Sequence, residues 1–558
     1  MRRERFAGIA DRQFDVLVIG GGMAGAGIAR DAALRGLTVA LVEKQDFACG
    51  TTSRSSKLIH GGLRYLELFD FGLVAESLRE RERLRRMAPH LIRPLPFLIP
   101  VYRGAKRGMI QIRVGLALYD LLTPGRRTGR YGGISRERAL ALEPGLDGTD
   151  LKGAGFYFDD LLLNPERLCL ENVLSARRHG ALVYNYARVE EFLRDGPRLV
   201  GVTVRDALTG EVARLRATVL VNATGPWIDG IRALAGLDAG GQLVRTTKGI
   251  HLLLPRLTSH AVYVQARDDR MFFVIPWRAF SLVGTTDTDF AGDLDRLYAT
   301  ADEVAYLLAE SRRVFPRARV SPADIVYTYA GVRPLTYEEG KRSWQVSRAH
   351  KVVVEGEGGN FLSITGVKLT CYRQQAEEAV DRISAVLKRG EPVRSHRLGL
   401  DGLDTETTLF EARIPVDAAA EAARYGVEPA LLETLVETYG RRYREVLDRT
   451  LERPSLTARL CPSNPDIVAE LAHTVEEEAA VTLTDVLLRR TGIGTSPCVG
   501  RDCAEAIAAR MAALCGWDRA RQERELAAFW EEVALGQRFR EAGAAGEKGL
   551  EGGRRGVP

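Results

Sequence analysis

One stretch near the start of the chain restricts the fold more than any other. Phe14 to Gly20 reads FDVLVIG, an apolar run that turns directly into Gly20, Gly22 and Gly25, spaced G-x-G-x-x-G. An alanine-rich helical stretch to Arg35 follows, then a second apolar run, Thr38 to Val42, which ends at Glu43. Strand, glycine loop, helix and strand in that order open a doubly wound α/β sheet. The backbone amides at the mouth of such a helix, together with its dipole, hold a pyrophosphate, and side chains in place of the glycines would block that approach. Glu43, at the end of the second strand, can accept hydrogen bonds from both hydroxyls of an adenosine ribose and would repel a 2′-phosphate. A dinucleotide is therefore expected, with NADP disfavoured. The loop alone does not separate FAD from NAD.

Short β-branched runs alternate with charged turns from about 181 to 223, which predicts antiparallel strands leading into another buried strand. Between about 244 and 330, strand-like runs (GIHLLL, FFVIPW, SLVGTT) surround one helical segment, 301 to 315, so a second sheet-rich unit is expected to carry substrate contacts. Beyond about 400 the apolar period changes to 3.6, as in PALLETLVETYGRRYREVL and IVAELAHTVEEEAAVTLTDVLLRR, and a helical C-terminal domain follows. The stretch 543–558, rich in glycine and charge, is expected to be disordered.

At 558 residues the chain exceeds the usual size of one compact domain. Hydrophobic residues make up 45% and charged residues 27%, the balance of a globular enzyme rather than of a disordered chain or an integral membrane protein. No apolar window approaches the roughly 20 residues needed to cross a bilayer. The N-terminal MRRERFAGIADRQ is basic without an apolar core, so no secretory signal is read, and seven cysteines without a regular framework fit a reducing, cytoplasmic setting. Cys498 and Cys503 lack the third ligand of a plant-type iron–sulfur spacing, and no metal site is expected there. A net charge of +6 is too mild to argue for nucleic-acid binding. Its two basic clusters, RERERLRR (79–86) and RGAKRGMIQIR (103–113), are read either as solvated helix faces or as attraction to anionic lipid headgroups.

Residues 52 to 67, TSRSSKLIHGGLRYLE, closely resemble the flavin-binding signature of the aerobic, FAD-dependent glycerol 3-phosphate dehydrogenases. Downstream, VNATGPW (221–227), IPW (275–277), GTTD (284–287), AGVRPL (330–335) and EEEAAVTLTDVLLRRT (476–491) resemble the same family in its order. The resemblance spans about 14 to 535. It implies a fold like that of the D-amino-acid-oxidase-like flavoproteins: an α/β FAD-binding Rossmann-type domain (14–400) interleaved with a mixed-sheet substrate domain (about 70–150 and 244–330). An all-α C-terminal cap (401–535) and a tail (536–558) complete the expected layout. In three places the chain departs from the family: Val367 replaces a glycine of a G-G-K motif, NPERL (164–168) replaces D-D-A-R-L, and RLGLDGLD (397–404) lacks L-P-G-G.

The resemblance also implies roles. Glu43, Lys44, Thr52, Ser55, Ser56, Lys57, Leu58 and His60 are expected to bind FAD with the three loop glycines. Ala223, Thr224, Gly225, Trp227, Gly366, Leu369 and Thr370 complete that set. A phosphate dianion is gripped best by guanidinium forks, and Arg64 and Arg333 stand at the family's positions for this. Lys368 resembles the active-site lysine that would stabilise a substrate oxygen or reduced flavin, and His251 the residue that titrates near neutrality and could serve as base. Thr285 and Tyr65 are expected as hydroxyl donors, and Cys49 and Cys371 as packing residues.

The activity so implied is oxidation of glycerol 3-phosphate to dihydroxyacetone phosphate, with electrons passed to a quinone by a cytoplasmic enzyme attached to the inner face of the cell membrane. A homodimer is one option for its assembly. Rival readings are an oxidase that makes peroxide, an amino-acid or 2-hydroxy-acid oxidase, and a non-catalytic flavin module that senses redox state. Two motif-placed arginines favour phosphate over a carboxylate, which needs only one.

Overall fold

The computed structural model describes residues 6–124, 129, 131–340, 346, 348–366, 368–400 and 417–541. At the centre of its first sheet, β1 (Gln13–Ile19) runs parallel to β2 (Val39–Val42) on one side and to the strand Val212–Asn222 on the other, with Val16 opposite both Val39 and Val219. A parallel strand covered on both faces cannot alternate apolar with polar residues. Val16, Leu17, Val18, Leu41, Val219 and Val221 are accordingly all fully buried. The sheet has eight strands, extended by Leu182–Tyr184 beyond β2 and by Phe361–Thr365 and Lys351–Glu355 at the other side. The expected antiparallel run forms Ala187–Asp195 and Arg198–Asp206, which add to Val212–Asn222. Helix α1 (Met23–Leu34) begins immediately after Gly22 and is buried along its whole length. Its small residues permit that: a Cβ on Gly27 would lie 2.9 Å from the ring of Tyr372.

The second sheet has ten strands, drawn from three stretches of chain. Leu58–Ile59 pairs with Asp160 and Leu161, Ile92–Tyr102 and Gly132–Ser135 flank Leu151–Leu162, and the strands from Val244 to Thr336 supply the rest. The unit is therefore wider than the expected segments 70–150 and 244–330. Its inclusion of Leu58–Ile59 is the important difference, because the flavin-like signature thereby crosses from the first sheet to the second.

The basic run 79–86 falls on α2 (Phe71–Met87), and two of its arginines face inward rather than toward water or lipid. Arg85 is bidentate to Asp160, at 2.6 and 2.7 Å, and Arg81 pairs with Asp159, all four side chains being buried. Sequence periodicity exposes such arginines; the two consecutive aspartates of the neighbouring strand bury them. The second basic run, 103–113, is surface, and leads into α3 (Met109–Leu122).

The C-terminal part is helical as expected, but its long periodic runs are broken. PALLETLVETYGRRYREVL becomes Pro429–Tyr439 and Tyr443–Glu452, separated at Gly440 (φ +61°). The second run stops at Glu477, because the Glu478 carboxylate is buried against Arg167 instead of continuing a solvated face, and resumes as a π-helical turn, Asp485–Arg490. That turn anchors the helical part to the first sheet: Arg489 and Arg490 both bind the buried Asp46 in the loop after β2. The tail expected from 536 begins later, since Gly536 accepts hydrogen bonds from Thr328 and Phe539 is buried. Residues 401–416, with the expected domain boundary, and 542–558 lie outside the described residues. Cys498 and Cys503, read from spacing as lacking a third ligand, have one in space: Cys461 brings its sulfur to within 4.8 Å of both. Among the described residues no helix is long and apolar enough to cross a membrane.

Removing one partner of a buried ion pair strands the other charge in a medium that solvates it poorly. Asp160→Ala, which removes the bidentate partner of Arg85 and leaves it the more distant Glu82 (3.7 Å), is expected to cost about 3 kcal/mol, whereas Arg79→Ala on the exposed side of α2 should stay within about 0.5 kcal/mol of the parent protein. Denaturant midpoints of the two variants check this.

Candidate active site

A cavity of about 640 Å³ lies where the two sheets meet, and it runs from the glycine loop to a group of cationic side chains. At the loop end the three glycines have different reasons to be glycine. Gly20 (φ +108°) would carry a Cβ 2.6 Å from the Ala223 carbonyl oxygen, and Gly22 opens onto the cavity. Gly25 does not line the cavity; its Cβ would overlap the Gly20 oxygen at 1.9 Å, so it serves helix-to-strand packing. Glu43 accepts from the Gly21 amide (2.7 Å) and the Gln45 amide (2.9 Å). Burial pushes its carboxyl up from the usual range, and the two amides oppose that. Lys44 lies 4.2 Å over the Trp227 ring and pairs with Asp295. The indole Nε1 of Trp227 is buried at the cavity with no hydrogen-bond partner in the protein, a donor left for a ligand. Ala223, Thr224 and Gly225 line the same end.

Along the signature, Thr52 accepts from the Met23 amide (3.1 Å) and so ties the loop to the start of α1. Ser55, Ser56, Leu58 and His60 line the cavity. Lys57 does not: it has φ +56°, and its ammonium turns to Glu166 (3.6 Å) and the Trp277 ring (5.0 Å). A buried ammonium needs an anion, and Glu166 offers one on the side away from the cavity. Thr370 and Gly366 also lie off the cavity wall. Thr370 is buried, and its hydroxyl bonds the backbone N–H and C=O of His60 at 3.1 Å each; Gly366 (φ +66°) would carry a Cβ 2.2 Å from the Ala349 oxygen. Leu369 does line the cavity, and Val367 lies outside the described residues.

The cationic end is assembled from neighbouring strands of the second sheet, the turn Leu63–Leu68 and the segments that carry Arg348 and Lys368. His251, on Val244–Pro255, sits opposite Tyr329 on one neighbouring strand and Gly284 on the other. Its Nε2 is 2.9 Å from Ser56 Oγ and its ring stacks on Tyr329 at 4.9 Å, while Nδ1 has no partner. Burial, then the charges of Arg333 and Lys57, hold it well below the usual histidine range, so the ring is neutral at pH 7. Arg333 donates to Thr285 Oγ1 (2.8 Å), the Thr286 carbonyl (3.1 Å) and Asp287 (3.2 Å), and burial pushes it down to about 10. Gly249 is required here, because its Cβ would lie 2.2 Å from Thr285 Oγ1 and 2.3 Å from Arg333.

Arg64 and Tyr65 come from the turn Leu63–Leu68. Lys368 donates to the Gly61 carbonyl (3.0 Å) and Ser77 Oγ (2.7 Å) and lies 4.9 Å over the Tyr65 ring. Burial pushes its ammonium down to about 8. Cys49 lines the cavity and Cys371 is buried beside Ser77; burial raises both thiols, Cys371 to about 12. Arg348 and Asp287 are among the lining residues that were not anticipated from sequence. Arg348 lies in a segment without a motif, and Asp287, although inside GTTD, was not singled out as the partner of Arg333. Tyr65 feels the positive charges of Arg348, Arg64 and Arg333 together, so three guanidiniums are gathered about one phenol.

A glycine-lined mouth at the start of a helix, the half-buried acid Glu43, an unpaired indole donor and a cavity continuing into cations fit an elongated flavin dinucleotide. The fold and cavity define a flavin-dependent oxidoreductase. Residues 15–371 match the model of the FAD dependent oxidoreductase family, and residues 396–522 match that described as the C-terminal domain of alpha-glycerophosphate oxidase. The chain is 38% identical to a glycerol-3-phosphate dehydrogenase of Synechocystis sp., covering 94% of this chain and 97% of the other. It is also 38% identical to glycerol-3-phosphate dehydrogenase 2 of Mycobacterium tuberculosis, covering 94% and 89%. The FAD-complexed glycerol-3-phosphate dehydrogenase from Bacillus halodurans superposes with a TM-score of 0.79 at 29% identity, over 95% of this chain and 97% of that one. The chain belongs to the FAD-dependent glycerol-3-phosphate dehydrogenase family, and FAD is its cofactor.

If Glu43 holds the ribose, Glu43→Gln replaces a charged acceptor with a neutral amide. Hydrogen bonds to charged groups contribute about 1.5–3 kcal/mol, so FAD should bind about 10- to 100-fold more weakly, read from flavin fluorescence on dilution.

Proposed function

We propose that this enzyme oxidises sn-glycerol 3-phosphate to dihydroxyacetone phosphate and delivers the electrons to a quinone at a membrane surface. The observation that carries the substrate is the gathering of Arg64, Arg333 and Arg348 at one end of a cavity whose other end has the features of a dinucleotide site. Planar forks from more than one direction suit a dianion, whereas one fork suffices for a carboxylate.

The chain's own groups account for the steps. Arg333 is held rigidly by Thr285, the Thr286 carbonyl and Asp287, so its fork is oriented before substrate arrives, which is the condition for efficient positioning. His251 is neutral and can take the C2 hydroxyl proton, with Ser56 fixing the ring. Bound FAD supplies the ring position that accepts the hydrogen of C2 as hydride. Lys368, as the ammonium, offers positive charge where oxygen or ring becomes more negative, and Ser77 and Gly61 hold it there. Tyr65, under the Lys368 ammonium, bounds the same space.

The acceptor rests on a different part of the surface. Ile110, Val114, Ala117 and Leu121 form a stripe along the exposed side of α3, while Leu116 and Tyr119 face the core. Ile110 is 78% exposed and Leu121 76%, and Phe69, 78% exposed, lies just beyond the turn that bears Arg64 and Tyr65. Glu67 of that turn is bidentate to Arg107 in the loop before α3, which keeps the two apolar groups together. An amphipathic helix turned apolar side outward, with Arg103, Lys106 and Arg113 beside it, suits the interface of an anionic bilayer. A quinone arriving there would be close to the cavity. Oxygen is the rival acceptor, favoured by the oxidase named in the description of the C-terminal family.

Anaerobic stopped-flow bleaching of the bound flavin tests the substrate reading. Arg333→Ala should raise the half-saturating glycerol 3-phosphate concentration about 10- to 100-fold, and Lys368→Met should slow the limiting reduction rate about 10²–10³-fold. Because the ammonium is the working form, kcat/KM of the parent should fall as pH rises through about 8, and this limb should vanish in Lys368→Met; unchanged kinetics in both variants would remove the assignment. For the acceptor, Ile110→Glu with Val114→Glu should abolish flotation with anionic vesicles and quinone turnover while leaving flavin bleaching intact. Stoichiometric peroxide in air, with no response to added quinone, would instead identify an oxidase.

A further inference from the structure

Remote from the cavity, the helical part contains three thiols drawn together from two loops. Cys461 lies in the loop 458–468, closed by backbone hydrogen bonds from Leu460 to Asp466 and from Val468 to Ala458. Cys498 and Cys503 lie on a second loop, folded as consecutive turns in which the Arg501 amide donates to Cys498 O and the Cys503 amide to Gly500 O. Cys461 and Cys498 sulfurs are 3.6 Å apart, and the three sulfurs lie within 4.8 Å of one another. All three are free thiols.

Packing alone does not require this. A buried cysteine behaves as a small hydrophobe, and three of them usually scatter through a core. Here Asn464 directs its amide to the Cys461 sulfur (3.3 Å) and the Cys498 sulfur (3.7 Å), whereas Ser496, 3.3 Å from the latter, donates its own hydrogen to the Ile493 carbonyl (2.7 Å). Polar hydrogens aimed at sulfur are the outer layer that orients thiolate ligands around a metal. The 3.6 Å between the Cys461 and Cys498 sulfurs agrees as well, and the third lies within 4.8 Å of both: thiolates at about 2.3 Å from a tetrahedral zinc ion lie roughly 3.8 Å apart. Cys461 and Cys503 are buried and Cys498 is half-exposed, so a ligand set of three sulfurs would leave its open position on the solvent side.

We propose that Cys461, Cys498 and Cys503 form a three-thiolate site for a thiophilic cation, Zn²⁺, with water in the fourth position, and that the ion staples the loop 458–468 to the loop 496–503. Soft sulfur donors exclude Mg²⁺ and Ca²⁺, and three sulfurs fall short of the four that ligate an iron–sulfur cluster. The site lies beside the contact of the helical part with the second sheet, where Arg278 reaches Thr495 at 3.5 Å. The ion would thus stiffen the surface on which the cap rests, not the reacting centre.

The test is metal analysis of the full-length, FAD-loaded enzyme, purified untagged under reductant. About one zinc per chain is expected, falling to under a tenth in Cys498→Ser and in Cys461→Ser with flavin content unchanged. Cys498 is half-exposed, so its serine variant should fold even if Cys461→Ser does not. Addition of Co²⁺ to the reduced, metal-stripped parent should give thiolate-to-cobalt absorption in the near ultraviolet that Cys498→Ser lacks. Absence of zinc together with absence of that absorption, equal metal content in parent and Cys498→Ser, or a Cys461–Cys498 disulfide in place of bound metal would each overturn the proposal.

Discussion

Keeping positive charge in a place water scarcely reaches is the constraint on which this architecture depends. Lys368 is buried and Arg333 half-buried, and burial depresses both. Each stays in position because neutral or anionic oxygen surrounds it: Gly61 and Ser77 for the lysine, Thr285, Thr286 and Asp287 for the arginine. An unpaired charge so placed would shed its proton or draw in water. A ligand that brings its own negative charge relieves the strain, and selectivity for such a ligand is then a property of the fold itself.

The two sheets make this seam possible. The segment 52–66 starts against α1 through Thr52, adds Leu58–Ile59 to the second sheet, and ends in the turn that carries Arg64 and Tyr65. Segment 366–371 comes from the first sheet and meets it through Thr370 and His60 and through Lys368 and Gly61. Dinucleotide end and cationic end are therefore linked by two short pieces of chain, each hydrogen-bonded to the other. Asp159 and Asp160 add a third link, because the arginines they bury hold α2, and with it Ser77, behind Lys368.

Much of this was legible in the residues. The strand pattern of β1 and β2, the glycine loop and Glu43 are local features whose meaning does not depend on distant chain, and they fold as read. The signature and the downstream motifs named the residues that gather at the cavity, Arg64, His251, Thr285, Arg333 and Lys368 among them. What escaped depends on partners far away in sequence. Lys57 sits inside the signature, yet Glu166 captures it; Arg81 and Arg85 look solvated until Asp159 and Asp160 face them. Arg348 carries no motif, and Cys461 lies 37 residues before Cys498, so spacing could not join them. The helical period was read correctly beyond 400, but the breaks at Gly440 and at the buried Glu478 were not, since periodicity records which face is apolar and not where a buried ion pair interrupts it.

The account stands on the phosphate being recognised by charge at the flavin. Its most direct test compares anaerobic reduction of the bound FAD by sn-glycerol 3-phosphate with reduction by glycerol, which has the same carbon skeleton without the dianion. Two charge-assisted contacts at about 1.5–3 kcal/mol each predict a second-order rate constant at least about a hundredfold greater for the phosphorylated alcohol. Equal rates for the two, or faster reduction by a 2-hydroxy acid, would contradict it.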